Sequence, residues 1–179
     1  NTIVHFFLSR AVAEVALLAV SENSKEETAL ACFWREVRAL RDLFKFEFFY
    51  PDSQAFETQI NEELCLEVPD WQNQLCENAE NSRKILNALA PKLGHVALTV
   101  FAEAYSIGAD VLMREADTID GDQAAFVALC RSCGKQAYLQ RRISSEASIG
   151  KLLFANSWKA LKNRGAADSD EGLARYADD

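Results

Sequence analysis

The sequence predicts an all-α fold, a single bundle of about six or seven helices, and three observations carry that prediction. Hydrophobic residues make up 49% of the 179 positions while only seven are Gly and three are Pro, a composition poor in turn-formers and rich in Ala, Leu and Glu, which suits long helices. Apolar residues recur at spacings of three and four over several turns. Capping and terminating residues stand at the ends of those periodic runs. A chain of this length is one domain by size, able to bury roughly 70% of its unfolded surface without disulfide staples.

The elements follow in order. Residues 3–20 are apolar apart from His5, Ser9, Arg10 and Glu14, too few polar positions for a solvated face, so this helix is expected to be mostly surrounded. As a membrane span it is weak, because each central charge costs roughly 2.5–3.5 kcal/mol on insertion scales. "NSKEE" then offers Ser24 as an N-cap with Glu27 three residues later, a capping box that opens a second helix. On it, Phe33, Val37, Leu40, Phe44 and Phe48 follow at helical spacing, and Pro51 ends it. The alternation from Phe44 in "LRDLFKFEFFYPD" mimics a strand, but the helical pattern begins at Phe33, eleven residues earlier.

Asp52 or Ser53 caps a third helix carrying Phe56, Ile60 and Leu64, which ends before "VPDW". Residues 71–87 are polar and read as short helices. Pro91 suits the first turn of a long helix reaching about Asp117, with Glu103, Asp110, Arg114 and Asp117 on one face and Asp110–Arg114 as an i,i+4 ion pair. "TIDGDQ" breaks the chain, with Asp120 as the candidate cap. A helix from about Asp122 to Ile143 follows, with Phe126, Leu129, Cys130, Cys133 and Ala137 on one side. "SSEASIGKLLFANSWKALKNRG" is the last helix, with Ile149, Leu152, Leu153 and Ala160 inward and Gly165 as its terminator. Asn156 interrupts that stripe and, once buried, requires a hydrogen-bond partner. Residues 166–179 read as an acidic tail.

Charge and cysteine usage narrow the function classes. A net charge of −8 argues against nucleic acid as a partner, which needs a cationic footprint. Five cysteines are an odd count at low density, which points to a reducing compartment. There is no signal-peptide pattern, and the hydrophobic start without Met suggests a fragment of a longer protein. Neither His5 nor His95 has a neighbouring constellation for a triad or a metal, so no metal site and no cofactor are expected. Cys130 and Cys133 form a lone C-x-x-C, read as two small hydrophobes in a core rather than a redox pair or half of a zinc site. Gly134-Lys135 lacks the rest of a phosphate loop.

Two surfaces stand out as candidates. Arg131, Lys135, Tyr138 and Arg142 recur at i, i+4, i+7 and i+11, with Arg141 beside them, a basic row suited to lipid head groups, a phosphate or an acidic neighbouring domain, or simply to solvent. Phe46, Phe49 and Tyr50 fall off the core stripe of the second helix and are candidates for a surface facing another domain or a membrane.

The phrases "NTIVHFFLSRAVAEVALL", "LRDLFKFEFFYPD" and "GKQAYLQRRISSEASIGKLLFANSWKALKNRG" together resemble the carboxy-terminal region of the large bacterial glycerol-3-phosphate 1-O-acyltransferases, over residues 1–165. The resemblance implies a whole enzyme that transfers an acyl group from acyl-CoA or acyl carrier protein to the sn-1 hydroxyl of glycerol 3-phosphate, at the cytoplasmic face of the cell membrane in phospholipid synthesis. It implies catalysis by an H-x-x-x-x-D motif, His as general base and Asp orienting it. Five positions after His5 stands Arg10, and five after His95 stands Val100. No catalytic residue of the family therefore falls in this segment, which is expected to be inactive alone and to support an upstream acyltransferase domain of the same protein. The competing expectation is a free-standing α-helical interaction module or a peripheral membrane-binding bundle.

Overall fold

The computed structural model describes residues 2–22, 28–92 and 94–164. The expected capping box at Ser24 and Glu27, the terminator Gly165 and the tail lie outside the described residues, as do the side chains of His5 and His95. Among the described residues there are eight α-helices, one 3₁₀ turn and no strand, one helix more than the upper expectation. The chain divides into two compact units, Asn1–Leu98 and Thr99–Asp179.

In the first unit, α1 (Thr2–Glu22) is the central element, packed against α2 (Ala29–Leu43), α3 (Ser53–Glu67) and α5 (Asn81–Ala88). Leu8, Ala11, Val12, Ala13, Ala16, Leu17 and Val20 are all buried, so the surrounded helix that its composition predicts is found. Its two charges are buried as well, Arg10 at 7% exposure and Glu14 at 5%. Arg10 Nε donates to Glu14 Oε1 at 3.2 Å and its Nη1 to Glu63 on α3 at 3.2 Å. The other oxygen of Glu14 accepts from the Gly94 N–H at 2.6 Å, the first residue of α6 (Gly94–Ile119), where an orphan donor and the helix dipole favour a carboxylate. Only glycine fits there without adjustment, because a Cβ would stand 3.0 Å from both Ala11 O and Glu14 Oε2. The long helix thus begins at Gly94 and not at Pro91, since that contact selects its first turn.

Thr28 caps α2 by accepting from Ala31 N at 3.3 Å, and Asp52 caps α3 by accepting from Ala55 N at 2.9 Å. The second helix stops at Leu43, eight residues before Pro51, where the sequence predicts its end. Past it the winding tightens, Phe44 O accepting from both Glu47 N at 2.9 Å and Phe48 N at 3.2 Å, which still carries Phe44 and Phe48 into the core. Phe33, Trp34 and Trp71 form an edge-to-face cluster with centroids 5.0–5.8 Å apart, joining α2 to α4 (Trp71–Glu77).

The second unit holds the remainder of α6, then α7 (Gln123–Leu139), a 3₁₀ turn at Glu146–Ser148 and α8 (Lys151–Asn163). Asp120 and Gly121 occupy the left-handed region, at φ 44 and 74, so the turn falls on the expected cap. Asp122 caps α7 instead, accepting from Ala124 N at 2.8 Å. The helix ends at Leu139 rather than Ile143. Arg141 stands at φ 59, Arg142 N donates back to Ala137 O at 2.8 Å and Arg141 N to Tyr138 O at 2.9 Å, a Schellman-type reversal on a non-glycine residue.

Glu103 on α6 fastens the connection that follows, accepting from Ser144 N at 2.6 Å and from Ser148 Oγ at 2.5 Å. Burial alone would raise its pKa, but the hydrogen bonds from Ser148 and Ser144 together outweigh that and hold it below the ordinary carboxylate value. The core of this unit is built where α6 comes close to α8: a Cβ on Gly108 would meet Ser157 Oγ at 2.8 Å and Phe126 Cζ at 3.2 Å. Phe126 and Trp158 stack with centroids 4.9 Å apart. Asn156 is buried with a partner. Leu152, expected inward, is 71% exposed. The chain breaks at Gly150 before α8 starts, so Phe154, Trp158 and Leu161 set the buried register instead.

Two outcomes follow. Glu14→Ala leaves Gly94 N–H without its acceptor and is expected to destabilise the chain by roughly 3–5 kcal/mol in urea unfolding, with Gly94→Ala costing about 1–3 kcal/mol; losses under about 0.5 kcal/mol, the size of a surface change, would remove the network from the account. Because the folded pKa of Glu103 is depressed, its contribution is complete above the unfolded carboxylate value of about 4.3 and fades as pH falls through the folded one. The stability gap between wild type and Glu103→Gln is therefore expected to close in acid, as measured by urea titrations at pH 7 and about pH 3.

Candidate functional site

The second unit contains the one basic row that the sequence singles out, and α7 presents it. Gly134 lets α7 approach its neighbours closely, since a Cβ there would lie 3.3 Å from Ile149 and 3.5 Å from Phe154. With that side fixed inward, Arg131, Lys135 and Tyr138 are exposed on the outside. The Schellman reversal removes Arg142 from the helical row. Its guanidinium turns to Asp110 Oδ2 at 3.4 Å, which Arg114 also approaches at 3.6 Å. Arg141 is exposed.

Beside that ion group lies a cavity of about 400 Å³, walled by Ile107, Val111, Ala137 and Ile143 and rimmed by Glu103, Asp110, Arg114 and Arg142. Cys133 also lines it and is exposed. The expectation that both C-x-x-C thiols are core residues is thus corrected at Cys133, which sits at the edge of the α7 stripe and not on it. Cys130 is fully buried, and that burial, with Cys133 beside it, pushes its thiol up to about 12.

Two carboxylates of this cavity are engaged by neighbouring groups. Glu103 accepts one hydrogen bond on each oxygen, from Ser144 and Ser148, and Asp110 is shared by two guanidinium groups. Among the described side chains that line the cavity none is an imidazole that could activate Cys133. Among the described residues no group of His, Cys, Asp and Glu is placed to hold a metal ion.

In the first unit, Phe46 and Phe49 are exposed, Phe49 at 92%, while Tyr50 is half-buried. The Tyr50 ring meets Phe48 at 6.3 Å and Phe56 at 5.0 Å edge-on, and Arg41 lies over it at 5.7 Å. Burial raises its hydroxyl pKa, partly offset by the Arg41 charge. Tyr50 is therefore mainly a packing residue that leaves Phe46 and Phe49 as the outward pair.

Sequence reasoning missed the Glu103–Ser144–Ser148 clasp. Its only local trace is the pair of serines before the last helix, and its acceptor lies more than forty residues earlier. One helix among the described residues, Val96–Ile119, is long and apolar enough to cross a membrane. Its Glu103 and Asp110 are nevertheless committed to the 142–148 connection, so this segment is read as part of a helical core.

The comparisons with known proteins point to one family. Residues 1–170 match the family described as the glycerol-3-phosphate acyltransferase C-terminal region. Proteins of Mycobacterium bovis and of two strains of Mycobacterium tuberculosis, each named "Putative acyltransferase plsB1", are 34% identical over 171 residues, covering 94% of this chain. The chain spans 27% of the length of these curated relatives. No solved structure matches it significantly. The chain belongs to the glycerol-3-phosphate acyltransferase C-terminal region family.

Proposed function

We propose that this chain is the non-catalytic helical region of a glycerol-3-phosphate 1-O-acyltransferase. The enzyme would transfer an acyl group from acyl-CoA or acyl carrier protein to the sn-1 hydroxyl of glycerol 3-phosphate, in phospholipid synthesis at the cytoplasmic face of the membrane. The observation that carries the reading is the family match over residues 1–170 in a chain whose two histidines are followed, five positions on, by Arg10 and Val100 instead of Asp. An acyl transfer to a hydroxyl needs a base within hydrogen-bond reach of that proton, and in the cavity Glu103 already accepts from Ser144 and Ser148 while Asp110 faces two guanidinium groups.

Its role would be support: a helical body against which an upstream acyltransferase domain packs, with Phe46 and Phe49 as apolar contacts for that domain. The purified chain, given glycerol 3-phosphate and acyl-CoA, is expected to release no CoA above the enzyme-free rate. A full-length family member is expected to turn over under the same conditions. Turnover by the isolated chain would overturn the non-catalytic reading.

A further inference from the structure

Charge is strongly segregated along this protein. Residues 123–164, from the start of α7 to the end of the described chain, hold eight Lys or Arg and a single acid, Glu146, a net charge of +7 in a chain whose total is −8. All eight cations are exposed. Among the described residues Arg131, Lys135, Arg141, Lys151 and Lys162 have no carboxylate partner.

The packing of α7 on α8 gathers these charges. Gly134 faces Ile149 and Phe154, and Phe126 faces Trp158, so the positions next to those contacts border the outer seam of the helix pair. On α7 these are Arg131, Lys135 and Tyr138; on α8 they are Lys151 and Lys162, three turns apart on one side. At the end of the seam two leucines face water, Leu139 at 81% and Leu152 at 71% exposure.

We infer that this outer face of α7 and α8 docks on the surface of an anionic phospholipid bilayer. The inference deepens the proposed function and rests on it for its biological setting. Cations spread along two helices match a planar layer of phosphates, each strengthening adsorption several-fold. Leu139 and Leu152 can reach below the head groups while Tyr138 sits at their level, as amphipathic tyrosines do at an interface. Leu139 and Leu152 are exposed side chains at one end of the helix pair, and neither lines the cavity of this unit, so they do not form the concave, desolvated pocket that a protein hot spot would fill. An acidic protein is therefore the less suitable occupant.

The test is co-sedimentation of the whole chain with vesicles of phosphatidylcholine alone or mixed with phosphatidylglycerol. The chain is expected to bind the mixed vesicles, to release them as salt rises, and to ignore the neutral ones. Reversing four charges (Arg131→Glu, Lys135→Glu, Lys151→Glu and Lys162→Glu) is expected to weaken binding by at least about a hundredfold, with helix content checked by circular dichroism. The milder pair Leu139→Ser and Leu152→Ser is expected to cost about tenfold or more while leaving the salt dependence in place. Equal binding by the charge-reversed protein, or no binding by the wild type, would overturn the assignment, as would capture of an acidic protein without any vesicle binding. Acyl transfer by the isolated chain would sink the proposed function and leave the vesicle result standing, so the two failures are separable.

Discussion

Three parts of the first unit meet at the carboxylate of Glu14. One oxygen holds Arg10, which in turn reaches Glu63 on α3, and the other receives the first N–H of α6. Two ions taken out of water on a helix of alanine, valine and leucine are costly unless every donor and acceptor is matched. The matching is what constrains the rest of the unit: α3 must present Glu63, and the chain at Gly94 must come close enough to exclude a Cβ. A helix bundle can slide or rotate by a residue when only apolar groups touch, because leucine exchanged for valine changes little. A buried charge with partners at fixed distances does not permit that.

A similar clasp orders the second unit. Glu103 takes Ser144 and Ser148, while Asp110, two turns along the same helix, takes Arg142. The connection between α7 and α8 is thereby tied to α6 at three points, and its tight reversal at Arg141 is held although a non-glycine residue adopts the left-handed conformation there. The outward direction of the α7 cations follows from the packing of the Gly134 side of α7 against Ile149 and Phe154. Structure at one face thus makes a surface at the other.

The all-α class, the surrounded first helix, the cap at Asp52 and the Asp110–Arg114 pair were legible because each depends on neighbours within a turn or on local composition. Other features depend on residues far along the chain. Nothing near Pro91 says that Gly94 will be claimed by Glu14, eighty residues earlier, and nothing in the Phe126–Ala137 stripe says that Cys133 will rim a cavity. Leu152 falls inward only if the run from Ile149 is one helix. The break at Gly150 resets the phase, and Phe154 and Trp158 decide the new one. The basic row was visible on α7, but its continuation on α8 appears only when the two helices are laid side by side.

Both units therefore use their buried and partly buried charges to fix helices in place, which supports the non-catalytic role proposed for this region. The most direct test is a kinetic scan in a full-length family member carrying this region, with alanine placed singly at the positions of Glu103, Asp110, Arg114, Cys133 and Arg142. If these groups only hold structure, kcat per folded molecule stays within about threefold of wild type while thermal stability falls at Glu103 and Asp110. A drop of ~10²–10⁴-fold in kcat at any of them with stability unchanged, the size expected for a lost general acid or base, would contradict the account.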